Sequence, residues 1–248
     1  MSGRPLRGAA GFLTRLPIAT DETDWHAFAA SPWTFPVVGI LVGALVALPL
    51  LLPDLVGALG FVVAVYALIG INHADGLADL GDAAVVHGDA ERRRAVLKDS
   101  AVGVGALVAV GLGLVGLTLA AVGLARLPWP RALALAVAAE VGAKAGMATL
   151  ACLGRAGHEG FASAFTGRCS PTGLVGVAAA TLPVIAAAAL LAPEVGLAAL
   201  AALLSALAVA IWLGRWADAN LGGVTGDVFG AANELGRVAA LHAGLLLF

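Results

Sequence analysis

Long apolar runs alternate with short polar stretches along this chain of 248 residues. The runs fall at 36–52, 55–72, 101–125, 131–153, 173–191, 195–213 and 236–248. A helix needs about 20 apolar residues to cross a bilayer, with a usable range of about 17–25. Six runs meet that length, and the seventh, with 13 residues, is predicted as a short span or an interfacial helix. Breakers separate several of them: Pro53-Asp54, Leu127-Pro128-Trp129-Pro130 and Pro193-Glu194. The pattern predicts an all-α integral membrane protein, a polytopic bundle of six or seven transmembrane helices forming one domain over residues 1–248.

Composition turns that pattern into a requirement. Hydrophobic residues make up 60% of the chain and charged residues 12%, where a soluble domain carries about 25% charged. Mean hydropathy is +0.97, so the bilayer must act as solvent. Many of the 33 glycines sit inside the runs, where small residues let helices approach closely in lipid. A net charge of −2 with no basic stripe argues against a nucleic-acid partner. Cys152 and Cys169 suggest neither a disulfide framework nor a zinc site. The N-terminus lacks an apolar run followed by a cleavage site, so no signal peptide is expected.

If every run spans, residues 1–35, 73–100, 154–171 and 214–235 share one side, which holds eleven of the Lys and Arg residues, Arg237 at its edge included. The opposite side holds Arg126 and Arg131, and Lys144 lies inside a run. By the positive-inside rule the long loops face the cytoplasm, in a multi-pass protein of the cell membrane. Every polar constellation lies on that side or at its edge.

The first constellation follows the second run directly, Asn72-His73-Ala74-Asp75-Gly76-Leu77-Ala78-Asp79-Leu80-Gly81-Asp82. If the helix continues, Asp75, Asp79 and Asp82 stand at i, i+4 and i+7 and share one face. Three carboxylates on one stripe repel one another unless a positive charge sits among them. Hard oxygen ligands suit Mg²⁺ or Mn²⁺, especially beside a phosphate. The bland alternative is a solvated, aspartate-rich helix end. The second constellation, Gly222 to Glu234, is a glycine-rich loop before a helix start. Its backbone N–H groups at Gly223, Thr225 and Gly226 could cradle a phosphate, or Thr225 could simply cap the helix. Asp227 and Glu234 stand seven apart on one face of that helix. The third is Arg92-Arg93-Arg94 followed by Lys98-Asp99-Ser100. The arginines suit lipid headgroups, and Asp99 and Ser100 suit a helix cap. Arg15 lies before the first span. Glu140 and Lys144 stand at i, i+4 inside the fourth run, as a structural ion pair or a substrate contact. His73 and His87 lack zinc-pair spacing.

Together these motifs resemble the cobalamin synthase family, the adenosylcobinamide-GDP ribazoletransferases. The likeness covers nearly the whole chain in order: Phe12–Pro17 (FLTRLP), Thr34–Gly39 (TFPVVG), Asp75–Asp82 (DGLADLGD), Leu97–Ser100 with Gly103, and Gly222–Gly230 (GGVTGDVFG) with Glu234. Ala101 stands where the family usually has an arginine, and Lys98 replaces an arginine. The resemblance implies a metal-dependent phosphotransfer that joins adenosylcobinamide-GDP to α-ribazole or its 5′-phosphate, with GMP leaving. It implies Asp75, Asp79, Asp82 and Asp227 as catalytic metal ligands for Mg²⁺, with Mn²⁺ as the alternative ion. It implies Arg15, Lys98, Asp99, Gly223, Thr225, Gly226 and Glu234 as substrate contacts, and membrane lipid as the surroundings.

Two other readings compete. CDP-alcohol phosphatidyltransferases also hang aspartates from helix ends, but their signature resembles DG-x-x-AR with two further aspartates, and the downstream pair is missing here. A secondary transporter would show internal repeats and helices broken at mid-membrane. Here the acids gather at one membrane face, which favours an enzyme.

Overall fold

The computed structural model describes residues 3–248, and its regular structure is helical. Two short helices precede the first span, where the sequence suggested only a loop. Helix α1 (Arg4–Leu13) is amphipathic and starts with Pro5 in its first turn. Helix α2 (Glu22–Ala29) starts at a capping box: the Asp21 carboxylate accepts from Asp24 N–H and the Asp24 carboxylate accepts from Asp21 N–H. Arg7 reaches across from α1 and donates to Asp24 at 2.8 Å.

The first span is α3 (Thr34–Ala47), drawn out by a 3₁₀ turn at Leu48–Leu51. Helix α4 (Asp54–Ile69) returns. It ends at Gly70, whose φ of +81° is the left-handed region that favours glycine. The chain then bends by 93° into α5 (Asn72–Val85). This corrects the expectation that the second run continues straight into the aspartate stripe: α5 is a separate helix, laid across the end of the bundle. Helix α6 (Ala90–Val96) is capped by Asp89. Helices α7 (Val104–Ala125), α8 (Trp129–Leu153) and α10 (Gly173–Leu191) follow, with the short α9 (Phe161–Thr166) between the last two.

Helix α11 (Pro193–Leu221) runs eight residues past the apolar run at 195–213, and α12 (Gly226–Leu245) starts ten residues before the run at 236–248. The expected loop at 214–235 is therefore helical except at residues 222–225. Among the described residues five helices are long and apolar enough to cross a membrane, or six if the bent α4–α5 pair counts as one. Helix α12 runs the length of the bundle beside them: Gly236 faces Ala143 and Ala206 at mid-depth, and Gly244 meets Leu135 and Ala198 at the far end.

Helix α8 is the axis, with 78% of its span window buried, against 22% for α7 and 17% for α10. Small residues bring α3 onto it. A Cβ at Gly43 would stand 2.5 Å from Val137 Cα, so only glycine permits that approach. Leu107, Leu112, Val115 and Leu119 on α7 face outward, as lipid-facing side chains do.

The core holds four ionisable side chains, all nearly inaccessible: Glu140 and Lys144 on α8, Glu234 and Arg237 on α12. Glu140 bonds both Lys144 Nζ, at 2.5 Å, and Arg237 Nε. Arg237 also pairs with Glu234 at 2.8 Å. Charges at that depth persist because they pair within the bundle.

Candidate active site

The two aspartate-bearing motifs meet where α5 crosses the start of α12. A Cβ at Gly76 would lie 2.9 Å from Asp227 Cα, and one at Gly230 would lie 2.9 Å from His73 O. Glycine on each helix therefore lets the backbones touch. The crossing sets Asp75 and Asp79 of α5 beside Asp227 in the first turn of α12. Asp75 is exposed and Asp79 half-buried. Helix α5 by itself, with 14 residues and three aspartates, is too short and too polar to count as a span. Burial pushes the Asp79 carboxyl up to about 6, helped by the negative charges of Asp227, Asp75 and Asp82. Among the described residues no three His, Cys, Asp or Glu side chains converge as a preassembled metal cage. A hard cation here would draw its remaining ligands from water and a substrate phosphate, which suits Mg²⁺.

Asp82, expected in the same ligand set, has a different task. Its carboxylate accepts from Gly103 N–H at 2.7 Å and Ala106 N–H at 2.9 Å, so it caps the start of α7 from a neighbouring helix. Both oxygens already have backbone partners.

The glycine-rich loop is also committed to structure. Gly222 closes α11 in the left-handed conformation, φ +77°. Gly223 presses against the backbone of Arg155 and Gly157, where Val224 N–H donates to Arg155 O at 2.8 Å. Thr225 caps α12 by accepting from Val228 N–H, and its hydroxyl donates to Asp227 Oδ2 at 3.1 Å. That bond orients the Asp227 carboxylate. A Cβ at Gly226 would first meet Phe161, at an ordinary 3.6 Å.

The other expected contacts scatter. Arg15 is exposed beside the α4–α5 bend: its N–H donates to Leu68 O at 2.7 Å and its stem packs on Gly70. Lys98 and Asp99 are exposed between α6 and α7, and Asp99 accepts from Ala101 N–H. Glu234 faces inward, held by Arg237, Asn233 and the Tyr66 hydroxyl. Two of the three consecutive arginines are structural. Arg93 donates to Ala83 O and Ala84 O at the end of α5, and Arg94 donates to Leu221 O at the end of α11.

Sequence reasoning missed a cavity of about 160 Å³ beside Asp227. Phe12, Phe161, Phe229, Met147 and His73 help to line it. The residues come from α1, α5, α8, α9 and α12, so no single stretch displays the pattern. Only the position of His73, two residues before Asp75, was a local signal.

A family profile described as cobalamin-5-phosphate synthase matches residues 5–245. An adenosylcobinamide-GDP ribazoletransferase of Halorubrum lacusprofundi is 57% identical, over 97% of this chain and 96% of that protein. One from Haloquadratum walsbyi is 43% identical over 98% and 97%. A more distant one, from Pyrobaculum calidifontis, is 35% identical over 94% and 95%. No solved structure matches the chain. With the Asp75–Asp82 and Gly222–Gly230 motifs meeting in one crossing, and with that match along nearly all of its length, this chain belongs to the cobalamin-5-phosphate synthase family.

Proposed function

We propose that this protein is an adenosylcobinamide-GDP ribazoletransferase that works at the face of the membrane carrying its long loops. A ribose hydroxyl of α-ribazole, or of its 5′-phosphate, attacks the phosphorus attached to the corrinoid side chain. The new P–O bond forms as the bond to GMP breaks. Adenosylcobalamin or its 5′-phosphate results, and the hydroxyl proton passes to a base.

The observation that carries this reading is the α5–α12 crossing at Gly76 and Gly230, which joins carboxylates from two distant motifs beside a cavity. Asp75, Asp79 and Asp227 are the side chains that would hold Mg²⁺, or Mn²⁺, together with substrate phosphate oxygens. When bound, the cation would neutralise charge on the attacking and leaving oxygens. The raised Asp79 carboxyl marks crowded negative charge that a cation would relieve. Thr225 holds the Asp227 carboxylate in place through its hydroxyl. Arg15, exposed at the α4–α5 bend, and Lys98, exposed before α7, are the cations proposed to meet phosphates as substrate arrives.

Detergent-solubilised protein supplied with adenosylcobinamide-GDP, α-ribazole and Mg²⁺ should release GMP and form the joined corrinoid. Asp75→Asn and Asp79→Asn should insert normally and lose roughly three orders of magnitude in turnover, the scale lost with one transition-state charge stabiliser. Near-normal turnover and unchanged metal dependence in both variants would show that the stripe is a solvated helix end.

A further inference from the structure

Aromatic side chains are scarce in this protein but gather at one place. Of eight phenylalanines, Phe12, Phe28, Phe35, Phe161, Phe165 and Phe229 form one connected cluster with Trp25 at the site end of the bundle. Most of it is ordinary core, since Phe28, Phe35, Phe165 and Phe229 are buried. Phe12 and Phe161 differ. Their rings stack at 4.9 Å and 16°, Phe12 is 41% exposed, and both line the cavity beside Asp227. Phe229 stands edge-on to Phe161 at 6.2 Å and 88°, and Met147 completes an apolar wall.

One polar edge faces this wall. His73 lines the cavity, and its Nδ1 lies 3.0 Å from Asn233 Nδ2. The same Asn233 amide donates to Glu234 Oε1 at 3.1 Å, which fixes its NH₂ end toward both partners. His73 Nδ1 is therefore an acceptor, and the neutral ring carries its proton on Nε2. An aromatic-walled space whose polar edge is made of His73, the Asn72 amide and the Asp227 carboxylate has a defined complement. It is a flat aromatic heterocycle with one ring-nitrogen acceptor, attached to a group that reaches the carboxylate.

We propose that this cavity binds the benzimidazole ring of ribazole, stacked on the Phe161 ring that Phe12 backs, with its free ring nitrogen accepting a hydrogen bond from His73 Nε2. This rests on the ribazoletransferase reading and adds the place and orientation of one substrate. Guanine, the other flat base in the reaction, presents adjacent N–H donors that need a carboxylate or carbonyl pair in the ring plane. Among the described residues Asp227 is the one carboxylate lining the cavity, and the ribazoletransferase reading commits it to the cation. Seated this way, the base brings its ribose toward Asp227, where the attacking hydroxyl is needed.

The test measures α-ribazole binding and GMP binding separately, by equilibrium dialysis against the full-length protein in detergent with chelator present. It adds the KM of each substrate in turnover. Phe161→Leu should weaken α-ribazole binding about tenfold, the scale of one lost base–aromatic stack, and Phe12→Leu should weaken it less. They should leave GMP binding and the KM for adenosylcobinamide-GDP unchanged. His73→Leu should weaken α-ribazole similarly, and His73→Gln, which keeps a donor, should recover part of the loss. Unchanged α-ribazole affinity in both Phe161→Leu and His73→Leu overturns the assignment. So does weakened GMP binding in place of α-ribazole, which would give the cavity to guanine, and so does equal loss of both ligands in every variant. If the unaltered protein binds no α-ribazole and forms no product, the ribazoletransferase reading itself fails. If it turns over and the variants keep their α-ribazole affinity, only the subsite fails.

Discussion

Among single residues, the three aspartates that sequence spacing places on one stripe divide by what their oxygens already hold. Asp75 and Asp79 face the crossing with Asp227, while Asp82 spends both oxygens on the first turn of α7. Spacing could not separate them, because i, i+4 and i+7 share a face whatever that face meets. Asp82→Ala should therefore act on stability. We expect a loss of about 0.5–2 kcal/mol, the range for a missing helix cap. The metal concentration for half-maximal activity should stay unchanged. Thermal unfolding in detergent and a Mg²⁺ titration of turnover would measure the two effects, and a shifted titration with intact stability would return Asp82 to the ligand set. Thr225 was legible as a cap because hydroxyl, glycine and helix start are all local. His73 was not, because its significance comes from Asn233, 160 positions away.

For whole elements, the apolar runs gave the core of each span correctly and the ends poorly. Runs report where lipid is met, and helices continue beyond lipid wherever protein covers them. Helix α11 therefore extends through Arg215 and Asp218, and α12 begins at Gly226 despite carrying Asp227, Glu234 and Arg237. The 93° turn at Gly70 was hidden because a glycine inside an apolar run reads equally well as packing. Glu140 and Lys144 were legible as an i, i+4 pair, but Arg237 and Glu234 join them from another helix. Glu140 is the hub of that network. Glu140→Gln leaves two buried cations short of a partner and should cost about 3–5 kcal/mol. The resulting drop should show in chemical unfolding in micelles. A change within about 0.5 kcal/mol, the surface-substitution scale, would mean that the network adds nothing to α8–α12 docking.

The α1–α2 pair gives a pH prediction outside the membrane. Burial alone would raise the Asp24 carboxyl, but the Arg7 hydrogen bond, the Asp21 N–H and the charges of Arg7 and Arg4 together hold it below its ordinary value. A depressed carboxyl contributes stability above its unfolded value, and that contribution is lost as pH falls through the folded value. The pair should therefore hold at neutral pH and loosen only below the usual aspartate range of about 4. Trp25, next in sequence and packed on Phe12 at 5.3 Å, should report it. Its emission should change in acid in the natural protein, and that transition should be missing in Asp24→Asn. An identical acid transition in both would place the titration elsewhere.

Over the whole molecule, the site, the aromatic cluster and most of the basic residues occupy one end of the bundle, and the other end is closed by tight turns. The turn after Leu51 and the junction between Leu191 and Pro193 leave no room for chemistry there. Charge counting along the sequence anticipated this polarity, although most of the long loops turned out to be helices. We predict that the site end faces the cytoplasm, following the excess of Lys and Arg on that side. In a background with Cys152→Ala and Cys169→Ala, single cysteines at Glu91 and Glu159 probe the site end, and one at Leu52 probes the opposite end. All three positions are exposed. A membrane-impermeant thiol reagent applied to intact cells should label position 52 and spare 91 and 159, and all three should react once the membrane is opened. Labelling at 91 or 159 in intact cells would invert the protein. Adenosylcobinamide-GDP and α-ribazole would then have to meet outside the compartment where nucleotide-activated intermediates are made.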